Sequence, residues 1–188
     1  MKYYEELELI KQNFTDKPLP LGEYQWCQFI NCNFENTTLS NYRFIDCEFI
    51  ECNMSNAKLY QTAFQDVKFK GSKLLGLQFE HCNPFSLSFS FEDCIMDHAS
   101  FYQCKIKKTT FLNSRLYEVD FTQSDLTEAS FEGSDLARST FSQTQLTKVD
   151  FETAFNFTID PEINKLTKAR FSKEGLSGLL ERHGLDVV

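Results

Sequence analysis

A large apolar side chain recurs at every fifth position along most of this chain. That period fits neither a helix, which repeats at about 3.6 residues, nor a strand, which repeats at about 2. From Phe29 the series runs Phe34, Leu39, Phe44, Phe49, Met54, Leu59, Phe64, Phe69, Leu74 and Phe79. It resumes at Phe91 and continues through Met96, Phe101, Ile106, Phe111, Leu116, Phe121, Leu126, Phe131, Leu136, Phe141 and Leu146 to Phe151. Two residues before each member stands a smaller one, as in Cys32, Cys47, Ala57, Ser72, Ala99, Ser114, Ser134 and Thr144, with Tyr42, Leu77 and Phe89 oversized. Two inward positions per five residues require a short extended piece followed by a turn, so the chain must coil. Four pieces close a square of about 20 residues, and coils stacked roughly 4.8 Å apart pair their backbones, which makes a β-solenoid. Like residues fall on like at that separation: Phe101, Phe121 and Phe141 form one column, and Phe111, Phe131 and Phe151 another. With Phe29, Phe49 and Phe69 below them, these are the expected core ladder.

The repeating unit reads Ala129-Ser130-Phe131-Glu132-Gly133, then Ser134-Asp135-Leu136-Ala137-Arg138, and earlier Cys47-Glu48-Phe49-Ile50-Glu51. It resembles the pentapeptide-repeat proteins, whose unit is a small residue, any residue, Leu or Phe, and two variable residues. The resemblance covers about residues 24 to 154. It implies an all-β fold, a right-handed quadrilateral parallel β-helix. A single domain is expected over 1–188, with coils from 14 to 171 and a short C-terminal capping helix and strand from 172 to 188.

The register breaks once. Phe79 to Phe91 spans twelve residues, two repeats plus two, so a corner insertion is expected near 81–90. Asn83-Pro84 favours a turn and proline cannot donate to an intercoil ladder, so the distortion should centre on Asn83, Pro84 and Phe85. The insertion is either a projecting contact loop or, as the favoured reading, a corner that keeps Phe85, Leu87 and Phe89 tucked inward. Near the C-terminus, Leu176, Leu179 and Leu180 have the i, i+3, i+4 spacing of a short helix stopped by Gly184, with Leu185, Val187 and Val188 as a terminal strand. Such a cap covers only part of the last coil. Leu176, Leu179, Leu180, Leu185 and Val187 are therefore the expected homodimer contact.

Catalysis finds little support. All seven cysteines take the small inward position, no Cys-x-x-Cys occurs, and no histidine shares their columns, so they read as packing and free thiols rather than metal ligands. A stack filled by Phe and Leu leaves no pocket for an active site, and neither a cofactor nor a metal is expected. Lys and Arg number 19 against 27 Asp and Glu, a net charge of −8, which opposes direct binding to nucleic acid or an anionic membrane. No apolar stretch approaches the roughly 20 residues of a membrane span, and the first residues lack a signal segment, so a cytoplasmic location is expected.

The outward positions carry the charge. Stacking predicts pairs of Lys105 with Asp125, Arg115 with Asp135, Glu118 with Arg138, and Glu128 between Lys108 and Lys148. It leaves Glu92, Asp93, Asp97, Asp120, Glu132, Asp150 and Glu152 as an unpaired acidic surface. The size, the ending Asp160-Pro161-Glu162-Ile163-Asn164 and the leucine-bearing helix are similar to Qnr-type and microcin-immunity-type members. That resemblance implies an acidic rod that mimics DNA, binds gyrase or topoisomerase IV, and protects it from quinolones or toxins. The two long projecting loops of the Qnr pattern are replaced here by one small break. The alternative is a protein-interaction scaffold with no topoisomerase role.

Overall fold

The computed structural model describes every residue except Ser86 and 186–188. Its strands are short and all parallel. One face of the stack is a four-stranded sheet, β1 (Lys2–Glu5), β3 (Gly22–Gln25), β5 (Arg43–Ile45) and β7 (Ala63–Gln65), in that order. The neighbouring face is a six-stranded sheet of β2 (Glu8–Ile10), β4 (Gln28–Ile30), β6 (Glu48–Ile50), β8 (Val67–Lys70), β9 (Phe89–Glu92) and β10 (Thr110–Leu112). Higher up, β11 (Asp150–Phe151) pairs with β12 (Arg170–Phe171). The register advances by 20 residues per coil, as in Phe29 opposite Phe49, and by 22 across the insertion, as in Phe69 opposite Phe91. Between strands, isolated bridges such as Asn33 to Asn53 and Asp125 to Gln145 continue the ladder on the remaining faces.

Three features of the repeat explain the coil. The large residues fill the interior: Phe29, Phe49, Phe69, Phe91, Phe111, Phe131, Phe151 and Phe171 stack face to face, with ring centroids 4.7 to 5.3 Å apart. Each expected ladder ring, Phe101, Phe121 and Phe141 included, is buried. Second, the residue before most of the small ones adopts a positive φ, as at Asn31, Asn36, Asp46, Asn56, Asp66, Asp93 and Asn113, which turns the chain through a corner. Asn, Asp and Gly tolerate that conformation best.

The third feature is a hydrogen bond. The small residue donates its side-chain proton to the carbonyl of the large residue one coil below: Cys32 to Leu9, Cys52 to Phe29, Ser72 to Phe49, Ser134 to Phe111 and Thr144 to Phe121, at 2.9 to 3.2 Å. In return Ser72, Ser114 and Ser134 accept the backbone N–H of Cys52, Cys94 and Ser114. Buried backbone groups at the corner are thereby satisfied from inside. The seven cysteines are free and buried, and Cys27, Cys32, Cys47, Cys52 and Cys94 donate to the coil below as serine and threonine do. Burial pushes the Cys47 and Cys104 thiols up to about 12.

The stack begins earlier than residue 14. β1 and β2 pair with β3 and β4, and Tyr4 stacks on Tyr24 at 4.7 Å, because Tyr4 and Leu9 already keep the count of five. At the other end a run of helical turns covers 174–183, of which α1 (Ser177–Leu180) is α-helical, and Gly184 closes it at φ 60°. Gly178 lets this cap touch the stack: its carbonyl accepts the Ile159 N–H at 3.0 Å, and a Cβ there would lie 2.2 Å from the Phe157 carbonyl oxygen. Leu185 carries no strand, and the rest of the expected terminal strand, Val187 and Val188, lies outside the described residues.

Candidate protein-interaction surface

Most outward ion pairs run straight up the ladder, as in Arg43 with Glu23 and Lys68 with Glu48, but some of the expected pairs are replaced by diagonal ones. Lys105 and Arg115 do lie directly over Asp125 and Asp135 in the backbone. However, Asp125 leans back to accept the N–H and hydroxyl of Thr127, and Asp135 accepts the N–H of Ala137. The lean offers Asp125 to a cation eighteen residues away, whereas Asp135 accepts from the Asn156 amide. Asp125 therefore meets Lys107 at 3.2 Å, Arg115 meets Asp97, and Arg170 meets Glu152, in place of the expected Lys105 and Asp135 partners. Glu118 with Arg138, and Glu128 between Lys108 and Lys148, match the straight-ladder expectation. The Lys148 ammonium hydrogen bonded to Glu128, with Lys108 beyond it, holds that carboxyl below its ordinary range. Exposed pairs of this kind stabilise by about 0 to 1 kcal/mol each.

This geometry revises the acidic surface. Glu92 is paired with Lys70, Asp97 with Arg115, and both Asp150 and Glu152 with Arg170. Asp97 is also buried, with one carboxylate oxygen unpartnered. Asp120 caps the Thr122 N–H on a different face from Glu132. Asp93 and Glu132 remain exposed and free of ion pairs among the described residues, on the six-stranded-sheet side, where Asp46, Glu51 and Asp66 lie exposed on corner turns. The adjacent face has the opposite sign in its upper half: Lys105, Lys107, Lys108, Lys148, Lys165 and Lys168 are all exposed there, against Asp125 and Glu128. The sequence spacing places Lys105, Lys108 and Lys148 only as ion-pair partners, whereas in the stack they share one face with Lys107, Lys165 and Lys168.

The insertion also differs from its expected form. Phe89 is buried and Leu87 packs against the core, but Phe85 is 80% exposed. Asn83 accepts the Phe85 N–H at 3.0 Å, and this turn at Pro84 carries Phe85 outward. Phe89, opposite Val67, fills the interior instead, with ring centroids 5.3 Å from Phe79 and 5.1 Å from Phe91. At the C-terminal end Leu176, Leu180 and Leu185 are exposed, Leu179 packs against the core, and Val187 lies outside the described residues. Among the described residues no group of His, Cys, Asp or Glu is arranged to hold a metal, and no helix is long and apolar enough to cross a membrane.

A family model described as a pentapeptide repeat region matches residues 23–90 and 87–154. A trypsin-treated variant of QnrB1, a plasmid-mediated fluoroquinolone resistance protein, superposes with a TM-score of 0.65 over 100% of both chains at 15% identity. HetL, a pentapeptide repeat protein involved in heterocyst differentiation regulation from the cyanobacterium Nostoc sp. strain PCC 7120, gives 0.57 at 14% identity, covering 90% of this chain and 86% of its own. No curated protein matches. At these identities the solved structures speak for the fold alone. The repeat-family match, spanning most of the coils whose corners, columns and internal hydrogen bonds are described above, shows that the chain belongs to the pentapeptide-repeat family.

Proposed function

We propose that this protein is a non-enzymatic, cytoplasmic rod that binds the DNA-engaging surface of a type II topoisomerase and modulates it or shields it from quinolones or toxins. The carrying observation is the acidity of one side: Asp46, Glu51, Asp66, Asp93 and Glu132 are exposed and free of ion pairs among the described residues. Duplex DNA carries one negative charge per about 1.7 Å, and a protein groove built for that field attracts an acidic rod. The fold likeness to a fluoroquinolone resistance protein supports the same reading. Mimicry is confined to that side, because the adjacent lysine-rich face has the wrong sign. This face favours the second reading, a scaffold with two oppositely charged partners. Seven free cysteines suit a reducing compartment.

A gyrase supercoiling assay separates the two. On the topoisomerase reading the purified protein slows supercoiling or reduces quinolone-induced cleavage, and the effect weakens with added salt. Asp93→Lys combined with Glu132→Lys weakens it further without unfolding the stack. No effect at tens of micromolar protein would leave the scaffold reading in its place.

A further inference from the structure

The insertion opens one face and not its neighbour. The four-stranded sheet stops at β7, while the six-stranded sheet runs on through β8, β9 and β10. The gap above β7 is a cavity of about 590 Å³, within the roughly 300–1,000 Å³ usual for ligand pockets. Pro84, Phe85, Leu87 and Tyr102 line it together with Glu80 and the Cys82 and Cys104 thiols.

Two features of this cavity serve no packing purpose. Glu80 Oε2 is buried without a hydrogen-bond partner among the described residues, although a carboxylate oxygen removed from water requires a donor. Phe85, at 80% exposure, and Tyr102, at 39%, are held in solvent beside it. Lys105 stands at the rim, exposed, and does not hydrogen bond Glu80. Burial raises both thiols well above their ordinary range, so neither adds a charge.

A carboxylate in the wall of this cavity with one oxygen lacking a donor, set among aromatic and aliphatic side chains, is complementary to a cation on an apolar stem. The geometry points to a pocket that receives one arginine side chain from a partner protein, its guanidinium on Glu80 and its methylenes against Phe85, Leu87 and Tyr102. Arginine fits better than lysine, because its planar head also stacks on aromatic rings and is less strongly hydrated. The pocket goes beyond the topoisomerase reading and holds whichever protein presents the arginine.

Titration followed by amide NMR tests it, with N-acetyl-arginine amide as probe and N-acetyl-citrulline amide as its uncharged match in shape. The expected result is a saturable shift of the Phe85, Leu87 and Tyr102 signals. Citrulline should bind about tenfold more weakly, and Glu80→Gln should weaken the arginine probe by a similar factor. Phe85→Ser, at an exposed position that leaves the fold intact, should also weaken the arginine probe. Lys105→Met, which removes a rival cation, should tighten it. Equal binding of the two probes, no saturable shift, or an unchanged affinity in Glu80→Gln overturns the proposal. Supercoiling assays read a different surface, so either result stands without the other.

Discussion

Phe131→Ala is the sharpest test of the stack. Phe131 is fully buried, lies parallel to Phe111 at 4.8 Å and Phe151 at 5.1 Å, and meets Phe121 edge-on at 5.6 Å. Truncating a buried Phe costs about 3 to 5 kcal/mol, and the upper part of that range applies where the surroundings cannot collapse into the void. They cannot here, because the backbone is pinned on both sides: the Phe131 N–H bonds Asp150 at 3.0 Å and the Ser130 N–H bonds Thr109 at 3.1 Å. Losing two stacked neighbours, each worth about 0.5 to 1.5 kcal/mol beyond area, pushes the same way. A loss of about 4 to 5 kcal/mol is expected in urea unfolding, with Phe131→Leu, which keeps most of the volume, losing about half as much. Unchanged slopes in all three proteins show that the stack still unfolds as one unit, which a repeat array need not do. A loss below about 1 kcal/mol for the alanine variant would refute the column.

Ser134→Ala removes a hydroxyl that donates to Phe111 and accepts from Ser114, so two buried backbone groups lose their partner and unfolding experiments should show a loss of about 2 to 4 kcal/mol, whereas Ser134→Cys should be nearly neutral. Thiols whose folded values lie near 12, against an ordinary 9.0, favour the native state fully below pH 9. That stabilisation is lost as pH rises from 9 toward 12, at about 1.4 kcal/mol per pH unit per thiol. Denaturant midpoints should fall over that window, and a thiol reagent at pH 8 should label unfolded protein only. The exposed cap leucines Leu176, Leu180 and Leu185 are proposed as a homodimer contact: sedimentation should then give a dimer, and Leu180→Asp a monomer with the coils unchanged, since Leu180 is exposed while Leu179 is packed on the core.

The period of five gave away the coil, the columns and the buried small residues, because those depend on one-dimensional spacing alone. The same count, followed back through Tyr4 and Leu9, marks the first coil as well, and the Asn and Asp before the small residues mark the corners. The surface was less legible. Pairing on a ladder depends on which way an acid leans, and Asp125 and Asp135 lean to cap their own turns, a preference set by local backbone N–H groups rather than by stacking order. Phe85 misled for a related reason: its apolar character points inward, and the Asn83 turn outweighs it.

The Cys and Ser donors at Cys32, Cys52, Ser72, Cys94 and Ser134 all act on carbonyls of Leu9 or the long phenylalanine column, and Cys94 reaches Phe69 across the insertion without interruption. They run up one corner of the square, and the gap at 82–88 lies at the corner diagonally opposite. The corner of the gap carries such donors at fewer levels, as in Thr62 to Leu39 and Thr144 to Phe121, so the rod is stitched most continuously along one edge and slit at a single level of the other. Any bending of the rod is expected to concentrate at that level, with the stitched edge as its axis, so that the mouth of the Glu80 cavity would widen or narrow with the angle between the two halves. A protein gripping both halves at once therefore sets the width of that opening.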